Sequence, residues 1–198
     1  MVISNDSLLV YNEYFSAARL KVHHLGQDIP PISWEFGAYK GEFNTQEYLN
    51  QIQYDENRGI SVSNDSCIMF LYSFKDRIDI MDWNFTLKKR LNYQKSNPVI
   101  SKDNSMKNIW YYGKSFLGKH FLYTLYFGVP FEEYLLNNYT GMEVFDLSGN
   151  PVCRYTFPQS DLASFVVDER SFTLYGYRGG DSISVYHLPW LKEYLENR

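Results

Sequence analysis

Apolar residues along this chain fall in blocks of four or five, separated by polar clusters rich in Asn, Asp, Ser and Gly. Ile3-Ser4-Asn5-Asp6-Ser7-Leu8-Leu9-Val10-Tyr11 and Val62-Ser63-Asn64-Asp65-Ser66-Cys67-Ile68-Met69-Phe70 share one pattern. A β-branched residue is followed by Ser-Asn-Asp-Ser and then by four apolar residues. Val167-Asp168-Glu169-Arg170-Ser171-Phe172-Thr173-Leu174-Tyr175 is a weaker third copy. Blocks this short, bounded by turn formers, predict strands. Asn and Asp suit the turns because they tolerate left-handed dihedrals and bond their own backbone. Each copy therefore predicts a strand, a tight turn and a second strand.

A second pattern follows each copy. Ile78-Asp79-Ile80-Met81-Asp82-Trp83, Met142-Glu143-Val144-Phe145-Asp146-Leu147, Ile183-Ser184-Val185-Tyr186-His187-Leu188 and Leu20-Lys21-Val22-His23-His24-Leu25 align. The rule is apolar, any, β-branched, any, Asp or His, bulky apolar. Val62 to Ile78 is 16 positions, Val167 to Ile183 is 16, and Ile3 to Leu20 is 17. After two of these strands comes a further hairpin, through Asn84-Phe85-Thr86 into Leu87-Lys88-Lys89-Arg90-Leu91 and through Ser148-Gly149-Asn150-Pro151 into Val152-Cys153-Arg154-Tyr155. The complete unit is four antiparallel strands, fullest over residues 60–91.

A four-stranded sheet repeated along a chain predicts an all-β β-propeller, each sheet a blade whose faces are covered by its neighbours. The blades are expected over 1–58, 59–104, 105–158 and 159–198, three to four in number, in an incomplete ring. In the third unit, Phe121 to Phe127 is the inner apolar strand. An insertion over 129–140 follows, with a short helical turn at 130–136 because Pro suits a first turn and Glu its positive end. Residues 29–54 predict a long loop, with one helical turn near 45–50, and 92–107 a polar loop. The last unit leaves only Leu191 to Leu195 for an outer strand.

Gly141-Met142-Glu143-Val144-Phe145-Asp146-Leu147-Ser148-Gly149-Asn150-Pro151-Val152 and Phe165-Val166-Val167-Asp168-Glu169 resemble the TolB-like six-bladed β-propellers of gut Bacteroidetes type. The resemblance covers most of the chain, best over 59–91 and 141–188. It implies a bacterial propeller whose relatives are exported, periplasmic or lipid-anchored and have no assigned reaction. Six blades at 40–50 residues each need more than 240 residues. The expectation is therefore a partial propeller, the C-terminal blades of a larger ring, whose open edges could drive homo-oligomerisation.

Composition narrows this further. The chain has 198 residues and a net charge of -4, which supplies no basic footprint for nucleic acid. It has no apolar run long enough for a membrane span. Met1-Val2-Ile3-Ser4-Asn5-Asp6 lacks the basic start of a signal peptide, so the chain as it stands is expected in the cytoplasm. Two cysteines, Cys67 and Cys153, cannot form a disulfide scaffold or a four-cysteine zinc site and are expected as buried thiols. Aromatic residues reach 18%, which favours half-buried pleated surfaces and large fillings between stacked sheets.

Candidate chemistry is sparse. Gly113-Lys114-Ser115 ends like a phosphate-binding loop, but position 108 is Asn where that loop needs Gly. Asp76, Asp79 and Asp82 cannot share a metal on one strand, because alternation turns Asp79 away from the other two. The adjacent His23 and His24 chelate poorly for the same reason, and His120 falls in a solvent-exposed turn. Asp82, Asp146, His24 and His187 occupy one repeat position and are expected to bond turn backbone at each strand end. Four Asn-X-Ser/Thr sequons, at Asn5, Asn64, Asn84 and Asn138, read as turns. Trp34, in the first long loop, and Trp110-Tyr111-Tyr112 are the candidate ligand-binding aromatics, with packing between blades as the competing role. No catalytic residue, metal or cofactor is expected. The function read from these residues is a non-catalytic binding or scaffold module for a glycan, peptide or protein partner. The alternatives are a propeller hydrolase or lyase acting on carbohydrate or lactone, and a truncated fragment without independent function.

Overall fold

The computed structural model describes residues 2–4, 8–11, 18–24, 32–35, 58–93, 99–101, 103–179 and 182–197, the first four segments as backbone only. Among the described residues, every strand belongs to one of four antiparallel meanders. The first sheet is β1 (Val2–Ser4), β2 (Leu8–Tyr11), β3 (Ala18–His24) and β4 (Ile32–Glu35). The second is β5 (Gly59–Ser63), β6 (Ile68–Tyr72), β7 (Arg77–Met81) and β8 (Leu87–Asn92). The third is β9 (Ile109–Leu117), β10 (Phe121–Pro130), β11 (Tyr139–Asp146) and β12 (Pro151–Pro158). The fourth has three strands, β13 (Ser164–Asp168), β14 (Thr173–Gly179) and β15 (Ser182–His187). The all-β architecture of antiparallel four-stranded sheets read from the sequence is thus present in three of the four sheets, and each copy of the second pattern falls on the third strand of its sheet.

Two seams join the sheets that carry described side chains. Met69, Leu71, Ile78 and Ile80 of the second sheet pack against Tyr112, Leu117, Leu122 and Phe145 of the third. Phe121, Tyr123, Leu125, Met142 and Val144, on the other face of the third sheet, pack against Phe165, Val167 and Leu174 of the fourth. We call the face toward the following sheet leading and the face toward the preceding sheet trailing. Phe121 to Leu125 are all buried because β10 is covered on both sides. Such strands read as continuous apolar runs, whereas one-sided strands alternate.

Turns repeat with the sheets. Asp82 Oδ1 accepts from the Asn84 and Thr86 amides, and Asp146 Oδ1 accepts from the Ser148 and Asn150 amides. The left-handed position of this turn is Phe85 in one copy (φ 59) and Gly149 in the other (φ 80). Gly149 is required twice over, since a Cβ there would also clash with the Leu91 side chain of the neighbouring sheet. The turns between first and second strands also interlock. Asn64 holds its own turn through Oδ1 and donates Nδ2 to Gly118 O at 2.7 Å. The Gly118-Lys119-His120 turn has no side chain of that kind, and Glu169 of the fourth sheet reaches over to accept from the His120 and Phe121 amides and from Tyr123 OH.

Four expectations need correction, and one more falls on residues that are not described. Residues 32–35 are strand β4, so the loop expected over 29–54 is interrupted and Trp34 lies on an edge strand. The helical turn expected near 45–50 lies outside the described residues. The weaker third repeat is one residue out of phase. Val62 pairs with Met69 on the leading face, while Val167 pairs with Leu174 on the trailing face. A shift of one residue turns a side chain to the opposite face. The true counterpart of Asn64 is Asp168, whose Oδ1 accepts from the Arg170 amide as Asn64 Oδ1 accepts from Ser66. Residues 191–195 belong to helix α2 (Pro189–Glu196) instead of an outer strand. Pro189 starts it, and Leu191 and Tyr194 anchor it on the seam between the third and fourth sheets. Both cysteines are half-buried and free, with burial pushing the Cys153 thiol up to about 11. The helical turn of the third unit is α1 (Phe131–Leu135), entered from Pro130 and with Glu132 and Glu133 in its first turn.

Candidate functional site

The repeat places the same four positions on the trailing faces of the second and third sheets, and the two sets are built differently. In the second sheet they are Tyr72, Arg77, Asp79 and Arg90. Asp79 is fully buried and accepts from Arg77 Nε (3.0 Å) and Nη2 (2.5 Å), from Arg90 Nε (2.9 Å) and Nη2 (3.1 Å), and from Tyr72 OH (2.9 Å). The Arg77 guanidinium also lies 4.4 Å from the Tyr72 ring centroid. Burial opposes ionisation of Asp79, but hydrogen bonds from Arg77, Arg90 and Tyr72 outweigh it and hold the carboxyl below the usual range. This group is closed: every lone pair that matters has a donor.

In the third sheet the same positions are Tyr126, Gly141, Glu143 and Arg154. Register pairs Tyr126 with Gly141 and Glu143 with Arg154, as it pairs Asp79 with Arg90. The first arginine is replaced by Gly141, and Arg154 leans into the space it leaves. A Cβ at Gly141 would meet Arg154 Nη2 at 2.6 Å, and the guanidinium sits 5.6 Å from the Tyr126 ring centroid. Glu143 is half-buried and has no hydrogen bond or ion pair among the described residues. Burial pushes its carboxyl up, Arg154 pulls it back in part, and the negative charge of Asp76 adds to the rise.

The second sheet supplies the opposite wall. Asp76, in the β6–β7 turn, accepts from Tyr112 OH at 2.6 Å and Tyr126 OH at 3.1 Å. Tyr93, just past β8, is partly exposed and donates to Gly149 O at 3.2 Å. Tyr111 is half-buried, with its ring 6.2 Å from that of Tyr126. Burial, then the charge of Asp76, raises the phenol pKa of Tyr93, Tyr111, Tyr112 and Tyr126, so all four are neutral donors at ordinary pH. The result is a strip of neutral phenols around two carboxylates and one guanidinium at one end of the seam.

The sequence candidates divide around this strip. Tyr111 borders it. Tyr112 is 1% exposed, so it shapes the wall and presents no face to a ligand. Trp110 belongs to a neighbouring cluster, edge-on to Phe74 at 5.3 Å, tilted on Phe131 at 5.0 Å and beneath the Arg58 guanidinium at 5.2 Å. The side chains of Trp34 and His24 lie outside the described residues. Asp82 and Asp146 bond turn amides. His187 instead faces Thr173 Oγ1 through Nδ1 at 3.3 Å, because β15 runs directly into α2 with no tight turn to hold. Gly113-Lys114-Ser115 lies within β9, where Ser115 donates to Thr124 Oγ1 at 2.6 Å, and makes no loop. Glu143 and Arg154 were missed. The signal that finds Glu143 is the repeat itself, read one position past Ile78 and Met142, and Arg154 follows as the outer-strand position that matches Arg90.

The chain matches no protein-family model and no curated protein. Among the described residues, no group of three or more His, Cys, Asp or Glu is placed to hold a metal ion, and no helix is long and apolar enough to cross a membrane.

Proposed function

We propose that the chain is a non-catalytic binding module made of propeller blades of the TolB-like kind. Its ligand is rich in hydroxyl donors, of which a glycan is the simplest class. The observation that carries this is Glu143, a half-buried carboxylate deprived of the arginine clamp that its counterpart Asp79 possesses. A half-buried carboxylate with no protein donor is open to a ligand's hydroxyls, and a repeat that departs from its own local rule does so most often at a functional site. Tyrosine faces beside it suit the apolar face of a sugar ring, and Glu143 accepts from its hydroxyls.

The test is binding to a panel of oligosaccharides, followed by calorimetry on any hit. Glu143→Gln and Gly141→Arg should each reduce affinity at least tenfold, the second by supplying the missing clamp and closing the group. A panel without hits, or hits that both variants leave unchanged, removes the reading. A second reading rests on the same carboxyl. A raised Glu143 beside Asp76 resembles an acid paired with a carboxylate base, the arrangement a carbohydrate-cleaving enzyme uses. Release of reducing ends from a bound oligosaccharide, lost in Glu143→Gln, would replace the binding module with that enzyme.

A further inference from the structure

The leading face of the fourth sheet has the composition of a buried surface. Register sets Val166, Tyr175 and Val185 in one cross-strand row and Tyr177 and Ile183 in the next. By repeat position, Ile183 and Val185 correspond to Ile78 and Ile80 of the second sheet and to Met142 and Val144 of the third. Ile78 and Met142 are 0% exposed beneath the sheet that follows them, while the five residues here are 40–67% exposed. A contiguous apolar patch on adjacent strands marks an interaction surface, where scattered apolar residues would mark nothing. Beside it, β15 is an edge strand with no further strand paired to it among the described residues.

We infer that this face is a self-association surface, on which a second copy of the chain packs its own fourth sheet about a two-fold axis. In both seams a leading face is covered by the trailing face of another sheet. The trailing faces of the second, third and fourth sheets are already buried within the chain, through Ile68, Phe70 and Met81, through Leu122 and Phe145, and through Phe165 and Leu174 respectively. The apolar sheet face left open among the described residues is the leading face of the fourth sheet, so two copies match through identical surfaces. Apolar sheet faces stack at about 10 Å, and one patch meeting itself gives a closed dimer without further growth. Tyr175 and Tyr177 contribute large rigid area with hydroxyls at the rim. The five side chains on each copy amount to about 1,000 Å² buried in total, the lower bound of a specific interface, so association is expected to depend on concentration.

Sedimentation equilibrium of the whole chain from about 1 to about 100 µM reads this directly. The mass should rise from monomer to dimer and stop there. Ile183→Lys with Val185→Lys should stay monomeric across the range, its dissociation constant raised at least tenfold, with an unchanged far-ultraviolet spectrum. Leu87→Lys, at an exposed position on β8, should dimerise like the parent. Hydrogen exchange of the parent needs no substitution: the amides of β13 to β15 should gain protection with concentration while those of β5 to β8 do not. A parent monomeric throughout, a mass that keeps rising past dimer, or protection spread evenly over the sheets would overturn the inference. The ligand strip lies on the other seam, so loss of glycan binding does not bear on it.

Discussion

Asp79 and Glu143 sit at the same position of their sheets, each opposite an arginine on the outer strand, and their carboxyl pKa values are shifted in opposite directions. Asp79 has Arg77 two residues before it and is clamped by two guanidiniums and a phenol. Glu143 has Gly141 there, and its cross-strand Arg154 is drawn away over Tyr126. One residue, arginine or glycine, decides whether an inward carboxylate becomes part of the scaffold or is left facing a tyrosine-lined strip. A repeat can therefore keep its fold while one copy is released for another task.

The largest expected effect comes from breaking the closed group. Asp79→Ala leaves two arginines without their buried anion and should cost about 3–5 kcal/mol in urea unfolding. A cost below about 1 kcal/mol, the ordinary surface range, would make the two groups equivalent and end the comparison.

Next is the apolar position preceding each carboxylate. Ile78→Ala and Met142→Ala should each cost about 2–5 kcal/mol, because both side chains are sealed between sheets. Ile183→Ala, at the same repeat position but 67% exposed, should stay within about 0.5 kcal/mol at concentrations where the chain is monomeric. Similar losses at all three would show that the fourth sheet is covered in the monomer.

The interlocking turns should show a smaller effect. Glu169→Ala strips acceptors from the His120 and Phe121 amides and from Tyr123 OH. A loss of roughly 1–3 kcal/mol is expected, with faster hydrogen exchange at Phe121. Unchanged exchange there would mean that the turn holds itself.

The smallest effect is the most diagnostic, because its sign differs between the two carboxyls. Asp79 has a folded pKa below its unfolded value near 3.9, so its stabilisation is complete above that value and is lost as pH falls through the depressed folded pKa. Glu143 has a raised folded pKa, so it weighs against folding at neutral pH, and this penalty disappears as pH falls through the raised value. Glu143→Gln should therefore be more stable than the parent at pH 7 and converge with it in acid. Asp79→Asn should be less stable at pH 7 and have a flatter acid limb. Melting temperatures between pH 3 and 8 read both, and a destabilised Glu143→Gln at pH 7 would contradict the open group.

Much of the architecture is legible in the residues. The Ser-Asn-Asp-Ser turns, the recurring third strand and the Asp82 and Asp146 turn anchors follow from local chemistry, since an Asx side chain bonds backbone a few residues away whatever surrounds it. Local pattern also explains the misreadings. Residues 32–35 and 191–195 are short, mixed segments whose state depends on an available sheet edge or a seam to pack on. The phase error at Val167 arises because both faces of its strand carry apolar residues, Val166 on the exposed face and Phe165 and Val167 on the buried one, so composition does not say which face is which. The candidate site was less legible. Tyr111 and Tyr112 stand out in the sequence as an aromatic run, yet Tyr112 is wall, and Glu143 reads like any polar residue on a strand.

The sequence alone determined the unit: strand lengths, turn positions and which residue types recur at each step are set by interactions within about a dozen residues. Tertiary structure decided what each copy of the unit became. Whether Ile78 and Ile183 are core or surface depends on a neighbouring sheet, and whether Asp79 and Glu143 are clamped or open depends on which arginine reaches across strands. Burial and charge compensation come from distant segments brought within a few ångströms, and no local pattern carries that information.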